Sequence, residues 1–133
     1  MSVSIVRYRK ILLVLTAMSG VLIISTGVYW YLCYGPIRFD SALWLQGESA
    51  EFSSKAPRLR MADGLVRSGL LMGKTRPQIE ALLGSPAQGP NPWQADMIYW
   101  LGPERSFIEI DSEWLAIRFS GAGVVCDVRI VRD

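Results

Sequence analysis

The chain has 133 residues, half of them hydrophobic, with 14 Lys and Arg, 12 Asp and Glu, and no histidine. That is a one-domain length, and the lack of histidine excludes Ser/His and Cys/His nucleophile pairs. Arg7, Arg9 and Lys10 create the formal charge of +2: without them 11 basic residues face 12 acidic ones, so no basic footprint for nucleic acid is left.

Residues 1–10 read as a cytoplasmic N-terminus and residues 11–34 as a transmembrane helix. Ile11 to Leu32 carries no charge. As a helix it rises about 33 Å, against about 30 Å of hydrocarbon, so the expected partner of residues 11–34 is a lipid bilayer. Ser and Thr within the run can bond back to the helix. Tyr29, Trp30, Tyr31 and Tyr34 form an aromatic belt at its far end, before Gly35 and Pro36. The basic N-terminal flank places the N-terminus in the cytoplasm and residues 35–133 in the periplasm or outside, with the single pass in the inner membrane. The run is longer than the core of a cleaved signal, and the bulky Tyr29–Leu32 stretch offers no small-residue cleavage site. Tyr31 and Leu32 before Cys33 also argue against a lipid-attachment signal. Cys33 reads as a membrane-edge residue and Cys126 as a small core residue.

Residues 35–56 form a connector without a clear period. Phe39, Leu43, Trp44 and Phe52 make it too apolar for a free linker, so it is expected to pack on the domain. Residues 57–133 then read as an α+β domain. Leu59, Ala62, Leu65 and Val66 recur at helical spacing, which leaves Arg58, Arg60 and Arg67 on a solvated face. Gly69 is the expected stop.

The best-defined motif follows. After Gly73, Thr75 and Gln78 form a capping box, with Pro77 in the first turn. Ile79, Leu82 and Leu83 give the buried face, Gly84 ends the helix and Pro86 blocks its extension. This predicts a helix over 76–83. Met97–Leu101, Trp114–Phe119 and Val124–Val131 read as strands, the last two joined by a hairpin at Ser120–Gly123. The predicted fold is α+β: an N-terminal transmembrane helix, then two helices packed on a three-stranded antiparallel sheet. Alternation puts Leu115, Ile117 and Phe119 on one face, with Trp114, Ala116 and Arg118 on the other. In the third strand, Val124, Cys126, Val128 and Ile130 alternate with Val125, Asp127, Arg129 and Val131.

The segment Leu71–Pro86 resembles the hallmark of the SmpA/OmlA, or BamE-like, domain, roughly L-x-G-x-[ST]-x-x-[EQ]-[VI]-x-x-x-[LM]-G-x-P. Tyr99-Trp100-Leu101-Gly102 and Val125-Cys126-Asp127-Val128 match its sheet pattern, and the resemblance covers about residues 57–131. It implies two helices on a three-stranded antiparallel sheet in an envelope protein. Its members are mostly lipoproteins, the best known being a non-enzymatic subunit in outer-membrane β-barrel assembly. This chain differs in having a transmembrane anchor in place of a lipid-modified cysteine, and a Gly102–Asp111 insertion between the first two strands.

Two functions are open to such a chain. One is a non-enzymatic protein-contact module with an envelope partner and no cofactor. Trp114, Arg118 and Arg129 are its candidate binding residues, since Trp and Arg on one face suit a hot spot. The other is a ligand-binding, cation-binding or hydrolytic domain built on the acidic 104–113 loop, with Glu104, Glu109, Asp111 and Glu113 around Arg105. The blander expectation for that loop is a solvated, locally balanced set of charges. Trp100 is expected in the core, Trp93 in a structural rather than a binding role, and Trp114 either on a binding face or under the 102–112 loop.

Overall fold

A computed structural model describes residues 2–47, 56–105 and 110–133. The chain forms two compact units, Met1–Gly35 and Pro36–Asp133. The first is one helix, α1 (Ser2–Tyr34). It starts earlier than the apolar run because nothing in residues 2–10 breaks a helix: neither Pro nor Gly occurs there. Its Arg7–Tyr34 stretch is long and apolar enough to cross a membrane. The hydroxyls of Thr16, Ser19, Ser25 and Thr26 each donate to a carbonyl three or four residues back, at 2.8–2.9 Å. These groups are therefore satisfied without water, as a helix in hydrocarbon requires. Gly35 N–H closes the last turn on Tyr31 O at 2.8 Å, and Trp30 stacks on Tyr34.

The second unit contains three helices and three strands: α2 (Ser41–Gln46), α3 (Pro57–Ser68), α4 (Arg76–Leu83), β1 (Met97–Pro103), β2 (Ser112–Phe119) and β3 (Val125–Arg132). The sheet is antiparallel in the order β1-β2-β3. Helix α2 is an addition to the expected pair. It lies in the connector, started by Asp40, whose Oδ1 accepts from Leu43 N–H at 2.8 Å. Six residues cannot hold a helix alone. Burial of Trp44 does it: the indole is fully enclosed and donates to Leu83 O at 3.2 Å. Ser41 Oγ donates to Leu82 O at 2.6 Å, and Tyr99 OH to Gly84 O at 2.9 Å. Three carbonyls at the end of α4 thus find donors from α2 and β1, which settles the acceptors that every helix leaves unpaired.

Helix α4 keeps the expected bounds. Its capping box is in place, and Thr75 N–H donates to Gln78 Oε1 at 2.9 Å. Ile79 and Leu83 are fully buried; Leu82 is only partly buried, at the margin of the core. Gly84 sits at φ 78°, and a Cβ there would lie 2.8 Å from Leu45 Cδ2. Helix α3 begins on Pro57 and ends at Gly69 in the left-handed region. Leu59, Ala62 and Leu65 are buried as expected, together with Met61. Arg58 corrects the expectation of a solvated face, being 4 % exposed. Its Nε donates to Trp44 O at 2.9 Å, and its guanidinium lies 5.3 Å from the Trp44 ring centroid. The arginine thus caps the end of α2 and stacks on its tryptophan.

The sheet faces the helices with Met97, Tyr99, Leu101, Leu115, Ile117 and Val125, with Phe119, Val128 and Ile130 at the margin of the core. Two bulges alter the simple alternation. In β3, Phe119 pairs with Val125 but Arg118 pairs with Asp127, so Cys126 is the extra residue. The parity of the strand flips there. Val125 turns inward and Cys126 outward, which overturns the expected core position of Cys126; both cysteines are free thiols. In β1 the register shifts between Trp100 and Gly102. Gly102 and Pro103 therefore belong to the strand rather than to an inserted loop, and Trp100 is half-buried on the open face rather than in the core. A Cβ on Gly102 would meet Ala56 Cβ at 3.3 Å, so glycine lets α3 approach the sheet. Gly73 N–H donates to Val125 O and Val125 N–H to Lys74 O, which ties the segment before α4 to the start of β3.

Candidate protein-contact surface

The sheet face away from the helices carries the three candidate residues. Cross-strand register places Trp114 opposite Val131, Ala116 opposite Arg129, and Arg118 opposite Asp127. Trp114, Arg118 and Arg129 therefore share one face, as expected. Arg118 and Arg129 are exposed and Trp114 is half-buried. Arg129 Nε lies 3.7 Å from Asp127 Oδ2, a loose pair on the surface.

Trp114 packs against Trp93; the expected cover from the 102–112 loop falls partly on residues 106–109, which lie outside the described residues. The ring centroids are 6.0 Å apart, and Trp93 Nε1 reaches across the sheet to Arg132 O at 3.3 Å. Local chemistry fixes Trp93 in place. Asn91 bonds both the N–H and the carbonyl of Ala95, and Gln94 takes a positive φ of 51°. This closes a tight turn that presses Ala95 against Ile98 and Ala116 as a small second core. Asp96 N–H then donates to Ile117 O, and Asp96 Oδ2 accepts from Phe119 N–H at 2.7 Å. Trp114 Nε1 donates to Asp133 Oδ2 at 3.3 Å. The result is a rigid aromatic pair bordered by two exposed arginines.

The acidic residues are organised differently from the expected solvated loop. Glu113 lies on β2 and is fully buried. Arg105 donates to it through Nε, Nη2 and the backbone N–H, with Nη2 at 2.7 Å, and Arg132 Nη2 adds an ion pair at 3.4 Å. Arg105 also pairs with Asp63 on α3, and Arg132 with Glu104 at 2.8 Å. The hydrogen bond from Arg105 holds the Asp63 carboxyl below the usual carboxylate range, against a smaller opposing effect of burial. For Arg105, burial disfavours the charge, but the bonds to Asp63 and Glu113 outweigh it and raise its pKa. Both oxygens of Glu113 accept from arginine, so this carboxylate is engaged in ion pairs within the domain. Asp111 is exposed, and Glu109 lies outside the described residues. Among the described residues no group of three or more His, Cys, Asp or Glu could hold a metal ion.

Two shallow grooves lie among the described residues of this unit. One, of about 500 Å³, lies among Ile37, Phe39, Gly64 and Leu70; the other, of about 530 Å³, lies between α3 and β3, lined by Val66, Arg67, Val128 and Ile130. Comparisons with protein-family models, with characterised proteins and with solved structures found no significant match.

Sequence reasoning gave Trp93 a structural rather than a binding role and did not pair Arg105 with Glu113. The signal for Trp93 was present: Asn91-Pro92 before it is a turn-forming dipeptide. Glu113 gave no comparable signal, because its partners come from a loop, from β3 and through Arg105 from α3.

Proposed function

We propose that this chain is a single-pass protein of the inner membrane. Its N-terminus lies in the cytoplasm, and its α+β domain works in the periplasm or outside by binding an envelope protein. The domain acts as a non-enzymatic structural or assembly module of SmpA/OmlA-like character. The anchor reading draws on the length and apolarity of α1 and on the basic residues before it. The family character draws chiefly on the Leu71–Pro86 motif.

One observation carries the binding role: the Trp93–Trp114 pair on the open sheet face, bordered by exposed Arg118 and Arg129. Rigid aromatics lose little entropy on contact, and arginine adds directional bonds, the usual make-up of a binding hot spot. The test is co-purification after crosslinking of the detergent-solubilised full-length protein beside an Arg118→Glu variant. A specific envelope protein recovered with the wild type and lost with the variant supports the proposal. Equal recovery from both places the contact elsewhere.

A further inference from the structure

Strand β3 ends the sheet, and most of its free side is unpaired. Among the described residues only its start is met from that side, by Gly73, Lys74 and the Thr75–Val124 bridge. From Asp127 onward, every second residue turns its backbone N–H and carbonyl away from β2. Such an edge is a template for another strand. No proline interrupts β3, and the groove beside it on the α3 side leaves room along the edge.

We infer that this edge pairs with β3 of a second copy of the chain, antiparallel, about a two-fold axis through Val128. Charge selects the occupant and the register. Asp127 and Arg129 flank Val128 on the open face, both half-exposed and only loosely joined to each other. An antiparallel pair centred on Val128 sets Asp127 opposite the partner's Arg129, and Arg129 opposite the partner's Asp127. The sequence is self-complementary in this register. Centring the pair one residue earlier opposes Asp127 to the partner's Asp127, and one residue later Arg129 to the partner's Arg129. Opposite charges across strands stabilise a pair and like charges directly opposite destabilise it, so of these three registers the one centred on Val128 is favoured. On the other face Val128 meets the partner's Val128, with Ile130 and Val66 close by in the groove of each copy. The bulge at Cys126 limits the pairing at one end, so the contact is short and reversible. An isologous contact of this kind closes on itself as a dimer. It uses neither Trp114 nor Arg118 and shares only Arg129 with the partner-binding proposal.

The test is energy transfer between donor- and acceptor-tagged full-length copies reconstituted together in liposomes at a fixed protein-to-lipid ratio. The wild type is expected to exceed the level of random mixing. Asp127→Arg and Arg129→Asp are each expected to weaken association about tenfold, because each turns two attractive pairs into repulsive ones. Combining both substitutions restores complementarity and should return the signal to the wild-type level. Circular dichroism checks that each variant is folded; Asp127→Lys with Arg129→Glu gives the same comparison if one is not. Random-level transfer in the wild type overturns the inference, as do single variants that retain the signal or a double variant that fails to recover it. Only the purified chain is present in these liposomes, which separates self-pairing from binding of a different protein.

Discussion

Glu113 is the residue on which the charged side of the domain turns. It is buried and holds Arg105 and Arg132 together, and Arg105 reaches on to Asp63 in α3. Glu113→Gln removes the shared charge while Arg105 keeps Asp63 and Arg132 keeps Glu104, so it should cost about 1–3 kcal/mol in urea denaturation. Asp63 gives the same network a pH dependence. Its carboxyl titrates lower in the folded chain than in the unfolded one, so the unfolded chain binds the proton first as pH falls. The stability it contributes is present above about pH 4 and is lost as pH drops through the folded value. Asp63→Asn should flatten the acid limb of a stability–pH profile, and an unchanged limb would contradict the pairing. These residues were poorly legible in the sequence. A run of charges between strands reads as solvated, and only tertiary register shows that Glu113 faces inward. Arg58 misled for the same reason: a helical stripe sorts charge outward, while Trp44 supplies a buried carbonyl and a ring for the guanidinium.

At the scale of elements, α4 was legible because its limits are written in adjacent residues. Thr75, Pro77, Gln78 and Gly84 act within one or two turns of their own positions. Thr75→Ala should cost about 1 kcal/mol through the cap. Gly84→Ala should cost more, about 1–3 kcal/mol, since its backbone is one that L side chains rarely adopt and Leu45 stands in the way. Leu83→Ala, in the fully buried position, should cost about 2–5 kcal/mol, and more than Leu82→Ala at the margin. Thermal or urea unfolding of the four variants ranks them directly. Helix α2 was legible only as a segment too apolar to be free, because its stability comes from Trp44 meeting Arg58, Leu83 and Tyr99 from later elements of the chain. The strands were legible to within two residues. The bulge at Cys126 was not, because a period-two reading carries parity straight through an extra residue.

For the whole molecule, the sequence marks an apolar helix and a mixed domain, and the structure forms two compact units, Met1–Gly35 and Pro36–Asp133. The orientation proposed for the pair rests on Arg7, Arg9 and Lys10. A reporter enzyme active only outside the cytoplasm should be active when fused after Asp133, and replacing the three basic residues with acidic ones should reduce that activity. The binding role is argued from Trp93, Trp114, Arg118 and Arg129, since fold alone does not set function. The most direct measurement places a photo-crosslinking side chain at Arg118 of the full-length protein in intact membranes, with the same group at exposed Glu80 on α4 as the comparison. The account expects a discrete adduct with another envelope protein from position 118 and none from position 80. No adduct at 118, or the same adducts from both positions, would contradict it.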